Sequence, residues 1–504
     1  MPVYPNMRYS VFASMRFCSL LLYLLLIGLI TTNSSAQSIA PTSQNLVTLS
    51  GKITHPQNIL ISIDVLDNPI SQKLNSYASR IDSSGNFIIQ LPLSAPTLAW
   101  LFHANQSVPL YLHPADNFTA NMHGQDITNT LQLKGNGSDN CRLTAEYHRQ
   151  FNRATQRSMI TQKMSELEPD AFINYANTLK QQKQQLLQNH LAKGNITQNC
   201  QQFVQAQITA EWAAMLMDFP TAYSFKRNEL TPSNLPPDYY SFIDDVNLQN
   251  SDIMHLSVFT DYLQKYLSFK LNRAQKRNPQ PNPDTFYANK YEFAKTILSG
   301  KALFFVQGMC IADACTYSKA ELIASKFDDY LIACPYPDYN AAVAQIYDKA
   351  YRTGAGQPAP NFTLLNLNGD TVSLAQLKGK VVYLDFWATW CAPCIREFPY
   401  AEQLKKQFAN QNVAFVYISV DDNPMAWEEF LRTKKPTTDT LLHLFAQSAD
   451  MNLQDLYNVK GVPRYLIIDA QGIIADSNAK RPSDAGLATD ILKILKRTDP
   501  ENQN

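Results

Sequence analysis

Lys378-Gly379-Lys380-Val381-Val382-Tyr383-Leu384-Asp385-Phe386-Trp387-Ala388-Thr389-Trp390-Cys391-Ala392-Pro393-Cys394 is an apolar run that ends in two cysteines two residues apart. From Val381 to Phe386 the run is almost continuously apolar, the pattern of a central strand covered on both faces. The cysteine pair follows directly and opens a helix. A first helical turn carries unpaired N–H groups and the positive end of the helix dipole. Both favour a thiolate over a thiol, which makes Cys391 the expected nucleophile. The spacing puts Cys394 one turn along, within reach of Cys391. Cys391 can then attack a partner disulfide, and Cys394 can resolve the mixed disulfide. Zinc sites use the same spacing but need a second ligand pair. The chain has no other CxxC, so no metal is expected, and the only redox group expected is a Cys391–Cys394 disulfide.

Working outward, Val413 to Val420 reads as a second buried strand, and Tyr465 to Asp469, Gln471-Gly472 and Ile473 to Ala475 as a hairpin. Asp484 to Arg497 reads as a closing amphipathic helix. Alternating strands and helices predict an α/β unit. The Gly/Pro-rich stretch Thr353 to Pro360 marks its start, giving a C-terminal domain at 355–498.

This stretch, together with Glu397-Phe398-Pro399 and Gly461-Val462-Pro463, resembles the thioredoxin superfamily, and more closely its exported TlpA/ResA-like branch. The resemblance implies a thioredoxin-like fold with Cys391 as exposed nucleophile and Cys394 as buried resolving thiol. It implies that Pro463 is a cis-proline facing the cysteines, where the adjacent backbone at Val462 pairs with an incoming substrate. Trp387 and Trp390 would pack beside the cysteines and shield them, with Trp390 at the substrate surface. Asp385 occupies the place of a buried acid that moves a proton to and from the resolving cysteine, and Glu397 that of an active-site glutamate in the ResA-like branch. Members of this branch often reduce disulfides of other exported proteins, as in cytochrome c maturation, and take electrons from a membrane thiol–disulfide donor.

Upstream the chain changes character twice. Repeated short β-rich runs, such as Leu60 to Val65, Phe87 to Leu91 and Val108 to Leu112, predict a small all-β, sandwich-like domain at 45–135. Residues 138–350 carry helical spacing. The clearest helix is expected over Asp252 to Arg277, with Lys180 to Gln188 as a solvated helix face. The whole is therefore expected to be multidomain, with all-β, mostly α-helical and α/β thioredoxin-like parts. These upstream domains resemble the N-terminal extensions that some members of the branch carry.

Arg8 and Arg16 precede an apolar run, Leu20 to Ile30, and Ser34-Ser35-Ala36 follows. Residues 1–36 read as a signal peptide cleaved after Ala36. The expected location is the periplasm or cell envelope, with membrane association if cleavage fails. Phe17 to Ile30 falls short of the roughly 20 residues that span a bilayer, so no stable span is expected after cleavage. Lys+Arg and Asp+Glu balance at 43 each, which argues against nucleic acid as partner. Removing Cys18 with the leader leaves seven of the eight cysteines. Cys310, Cys315 and Cys334 read either as including a structural disulfide or as isolated buried thiols.

The leading functional reading is an exported thiol–disulfide oxidoreductase that reduces other exported proteins through the dithiol. About 30 mV, or 1.4 kcal/mol, reverses the direction, so a disulfide oxidase or isomerase is the alternative. A further alternative is a binding protein that uses the N-terminal domains, with an accessory redox domain. Thiol peroxidases carry Thr three residues before the reactive cysteine, where this chain has Ala388. A copper chaperone normally adds a distal histidine, and the only histidine of the C-terminal domain is His443.

Overall fold

The structure is a computed structural model, and it describes residues 45–152, 154–227, 234–274, 282–434, 442–446 and 453–498. The expected leader, 1–36, lies outside the described residues.

The first part is a pair of four-stranded sheets. Strands β1 (Leu46–Thr54), β2 (Leu60–Asn68), β3 (Lys73–Arg80), β4 (Asn86–Pro92), β5 (Thr97–His103), β6 (Gln106–Leu112), β7 (Asn117–His123) and β8 (Gln132–Asn136) form the orders β4-β1-β7-β8 and β3-β2-β5-β6. Burial alternates residue by residue along β4 and β7, so each strand gives one face to a shared core built on Val47, Leu49, Ile61, Ile63, Leu101 and Phe118.

Helices follow from Ser138 to Arg352 around a second core. The loop after β2 reaches into it. Ile70 belongs to that core, with its Cδ1 against the bare Cα of Gly308, and Asn68 Nδ2 donates to Asp338 O at 2.9 Å. A side chain at position 308 would collide with Ile70 at 2.8 Å. The helix expected over 252–277 begins later, at Ser257, and runs to Ala274. Ser251–Ile253 instead form a single 3-10 turn, and the residues after Ala274 lie outside the described range. Lys180 to Gln188 is not purely a solvated face. Lys183 is buried within helix Pro169–Leu191, where its ammonium meets Glu211 at 2.5 Å and that carboxylate also accepts from Tyr147 at 2.6 Å. A buried lysine needs such a partner.

The last part is a seven-stranded sheet formed by β9 (Thr363–Asn366), β10 (Thr371–Ser373), β11 (Val381–Trp387), β12 (Val413–Ser419), β13 (His443–Phe445), β14 (Arg464–Ile468) and β15 (Ile474–Asp476), in the order β10-β9-β13-β12-β11-β14-β15. Every residue of β11 is buried, as its apolar run requires. β11 pairs in parallel with β12 and antiparallel with β14. The parallel pair needs a crossover, which helix Ala392–Gln407 supplies. Helix Leu487–Thr498 closes the chain, starting three residues later than the spacing suggested.

Candidate active site

β11 ends at Trp387, and Ala388-Thr389-Trp390 turn the chain into helix Ala392–Gln407 with Cys391 as its N-cap. The Cys391 Sγ accepts the N–H of Cys394 at 3.2 Å, one of the donors that a helix start leaves unpaired. Pro393 occupies the first turn, where a missing N–H removes nothing. Cys391 and Cys394 are joined by a disulfide.

Cys391 was expected to be exposed. In the disulfide form it is only 3% exposed. Its sulfur lies over the helix start, bonded to Cys394, and Trp387, Ala388 and Val462 pack in the same cluster. The two tryptophans also part company. Trp387 is fully buried, edge-on to Phe398 at 4.9 Å, whereas Trp390 stands 68% exposed.

Tyr383, Asp385 and Trp387 alternate onto one face of β11, the face covered by Cys394, Glu397 and Phe398 of the helix. Asp385 is buried, and its Oδ1 finds no hydrogen-bond partner among the described residues. Burial pushes its carboxyl well above the usual carboxylate range, and the charge of Glu397 pushes it further. Glu397 sits three residues after Cys394, on the same helix face. It is buried rather than solvent-facing. Its Oε2 accepts from Ser483 N at 2.8 Å and its Oε1 from Ser483 Oγ at 3.0 Å, with Arg481 3.8 Å away.

The Val462–Pro463 bond is cis. β14 starts one residue later and pairs Arg464 with Phe386 and Tyr465 with Asp385. The Val462–Pro463 loop therefore stands at the end of β11 that leads to the cysteines. His443 is buried against Tyr417, with ring centroids 4.4 Å apart. Among the described residues no group of three or more His, Cys, Asp or Glu side chains is placed to hold a metal. Cys141, Cys200, Cys310, Cys315 and Cys334 are all free and buried.

One residue at this site escaped the sequence reading. Asp421, buried just beyond β12, accepts the Thr389 N–H on both oxygens, at 3.1 and 3.0 Å, and the Thr389 hydroxyl at 2.7 Å. Ser419 Oγ adds a third donor, and a fourth hydrogen bond, at 2.7 Å. Asp421 thus ties the turn before Cys391 to the neighbouring strand. An acid just past the C-terminal end of a buried parallel strand was the one signal that could have found it.

The sequence matches the Redoxin family over residues 354–491. The thiol-disulfide oxidoreductase ResA of Bacillus subtilis (strain 168) is 33% identical over 142 residues, covering 28% of this chain and 74% of that protein. The chain belongs to the ResA-like thiol–disulfide oxidoreductases of the thioredoxin superfamily. Among other relatives of this ResA-like protein, the thioredoxin-like protein YneN of the same bacterium is 38% identical over 123 residues, 24% of this chain and 69% of its own. A solved thioredoxin domain of a thiol-disulfide oxidoreductase from Bacteroides vulgatus aligns with 28% of this chain and 98% of its own, at 26% identity and a TM-score of 0.25. The ResA-like enzyme thus occupies the last part of the chain, and residues 45–352 lie outside the family match.

Proposed function

We propose that this oxidoreductase works outside the cytoplasm, reached through the leader at 1–36, and that it reduces disulfides of other exported proteins. The observation that carries the reading is the placement of Cys391 Sγ at a helix N-terminus, bonded to Cys394 and accepting its N–H. In the reduced enzyme the Cys391 thiolate attacks a client disulfide. The Cys391–client S–S bond forms, the client's own S–S bond breaks, and its released thiolate takes a proton from water. Cys394 then gives its proton to Asp385 and attacks the Cys391 sulfur. The internal disulfide closes and the second client thiolate leaves. Two electrons have passed from the enzyme to the client, and an upstream membrane dithiol restores the reduced enzyme.

The roles follow from position. Asp385, its proton affinity raised by burial, is the proton acceptor for Cys394. Glu397 is the fixed charge that raises Asp385. The exposed Trp390 and the Val462–Pro463 backbone receive the client. The reducing direction is supported by electrostatics. Among the described residues a single N–H contacts the Cys391 sulfur, and two carboxyl groups lie buried on the same side of β11. The fewer donors a thiolate has, the more readily it is oxidised. The site uses no group beyond the disulfide.

Insulin reduction with dithiothreitol as donor tests the chemistry. Turnover that disappears in Cys391→Ser supports it, and retained turnover removes it. Trapping with Cys394→Ser, followed by mass spectrometry of the mixed disulfides, identifies the clients. Clients confined to cytoplasmic proteins would overturn the exported assignment.

A further inference from the structure

The C-terminal end of helix Gly300–Tyr317 meets the ResA-like domain beside its cis-proline. The last four carbonyls of a helix have no partner within it and carry the negative end of its dipole. Here Ser318 N still takes Ala314 O at 2.9 Å. The carbonyls of Thr316 and Tyr317 are taken by the other domain. Arg464 Nη1 donates to Thr316 O at 2.9 Å and to Asn478 Oδ1 at 2.7 Å, and Asn478 Nδ2 donates to Tyr317 O at 2.9 Å. One arginine and one asparagine, locked to each other, thus close a helix end that belongs to another part of the chain. Lys319 extends the contact by pairing with Asp476 at 3.1 Å, and Lys349 pairs with Asp455 further along.

Arg464 is the residue immediately after Pro463. Its backbone begins β14 opposite Phe386, and its half-buried side chain spans the junction between domains. A guanidinium in that position has two fixed acceptors and little freedom. Any shift of the helical part against the redox part must break these bonds or drag the Val462–Pro463 loop with it.

We propose that Arg464 is a positioning residue through which the helical region holds the Val462–Pro463 loop in place for protein clients. This rests on the reading above that a client's backbone is received at that loop. It gives the upstream residues a job in the reaction: they set how well an extended polypeptide is gripped, while the sulfur chemistry stays with Cys391 and Cys394. A small disulfide, which needs no grip from the loop, is little affected by the contact.

The test compares full-chain wild type, Arg464→Met, Arg464→Lys and Asn478→Ala on insulin and on the small disulfide 5,5′-dithiobis(2-nitrobenzoate). Loss of a charged donor to fixed acceptors predicts that Arg464→Met raises KM for insulin by about tenfold with kcat within about twofold. Arg464→Lys, which keeps the charge, recovers part of this, and Asn478→Ala shows the same pattern to a smaller extent. Rates on the small disulfide fall less than about twofold in all three. An insulin KM within twofold of wild type for Arg464→Met overturns the proposal. So do equal losses on both substrates, which mark general damage. If Arg464→Met does not fold, Asn478→Ala decides by the same two readings. Wild type that reduces the small disulfide but never insulin removes the client reading itself, and the proposal with it.

Discussion

Asp385 on β11 and Glu397 on helix Ala392–Gln407 are buried on facing surfaces, and the negative charge of Glu397 raises the proton affinity of Asp385. Only one of them has hydrogen-bond donors to spare for a charge: Glu397 holds both the N–H and the hydroxyl of Ser483. Asp385 has an oxygen with none among the described residues. The two acids therefore divide the work, with proton exchange on Asp385 and the neighbouring charge on Glu397.

The first consequence is a stability effect with a defined sign. A carboxyl whose affinity for a proton is higher in the folded than in the unfolded chain binds more protons when folded. Stability from this group therefore falls as pH rises above its unfolded value of about 3.8 towards its raised folded value. Asp385→Asn removes the group. The variant's oxidised form should melt at a higher temperature than wild type at neutral pH, with the two curves converging below about pH 4. Its turnover should fall by about 10²-fold for want of the proton acceptor. Scanning calorimetry across pH, alongside insulin kinetics, reads both.

Glu397→Gln should act in the opposite sense on the pH profile. Without the neighbouring charge, Asp385 gives up its proton at lower pH, so the acidic limb of the turnover–pH curve moves to lower pH. Ser483→Ala, which leaves the backbone N–H in place, should cost about 1 kcal/mol of stability from the lost hydroxyl bond. A pH limb unmoved in Glu397→Gln would show that the two acids do not communicate.

How much of this could be read from the chain depends on sequence distance. β11 and β12 were legible because strands buried on both faces show as apolar runs. The cysteine pair was legible because its spacing is local. Glu397 lies a helix turn from Cys394, so its face was legible too, but Ser483 is 86 residues away and left no mark. The same holds for Asp421, 32 residues from Thr389, and for Arg464, 148 residues from Thr316. The burial of Cys391 left no mark either, because Val462, 71 positions further along the chain, is among the residues packed around it. The start of helix Ser257–Ala274 was placed too early because the apolar spacing continues through a 3-10 turn that precedes it.

The turn before Cys391 should depend on Asp421. Thr389→Val deletes the 2.7 Å hydroxyl bond and leaves a buried carboxylate with one donor fewer. The cost should be about 1–3 kcal/mol in urea unfolding. Thr389→Ser keeps the hydroxyl and should recover most of it. A Thr389→Val protein as stable as wild type would show that the contact is dispensable.

Thiol reactivity gives the last expectation. Burial pushes Cys200, Cys310 and Cys315 up to about 12, and raises Cys141 well above the usual thiol range. At neutral pH such thiols are protonated and out of reach, so they should stay unmodified as long as the chain is folded. The oxidised protein exposed to iodoacetamide should therefore gain no label at these four cysteines. After mild reduction, Cys391 should label first, because its sulfur caps the helix N-terminus while Cys394 lies one turn along the helix. Peptide mapping with time resolves the order. Labelling of Cys394 before Cys391 would reverse the assignment of nucleophile and resolving thiol. Rapid labelling of Cys310 or Cys315 in the native protein would mean that the helical core opens far more readily than its burial implies.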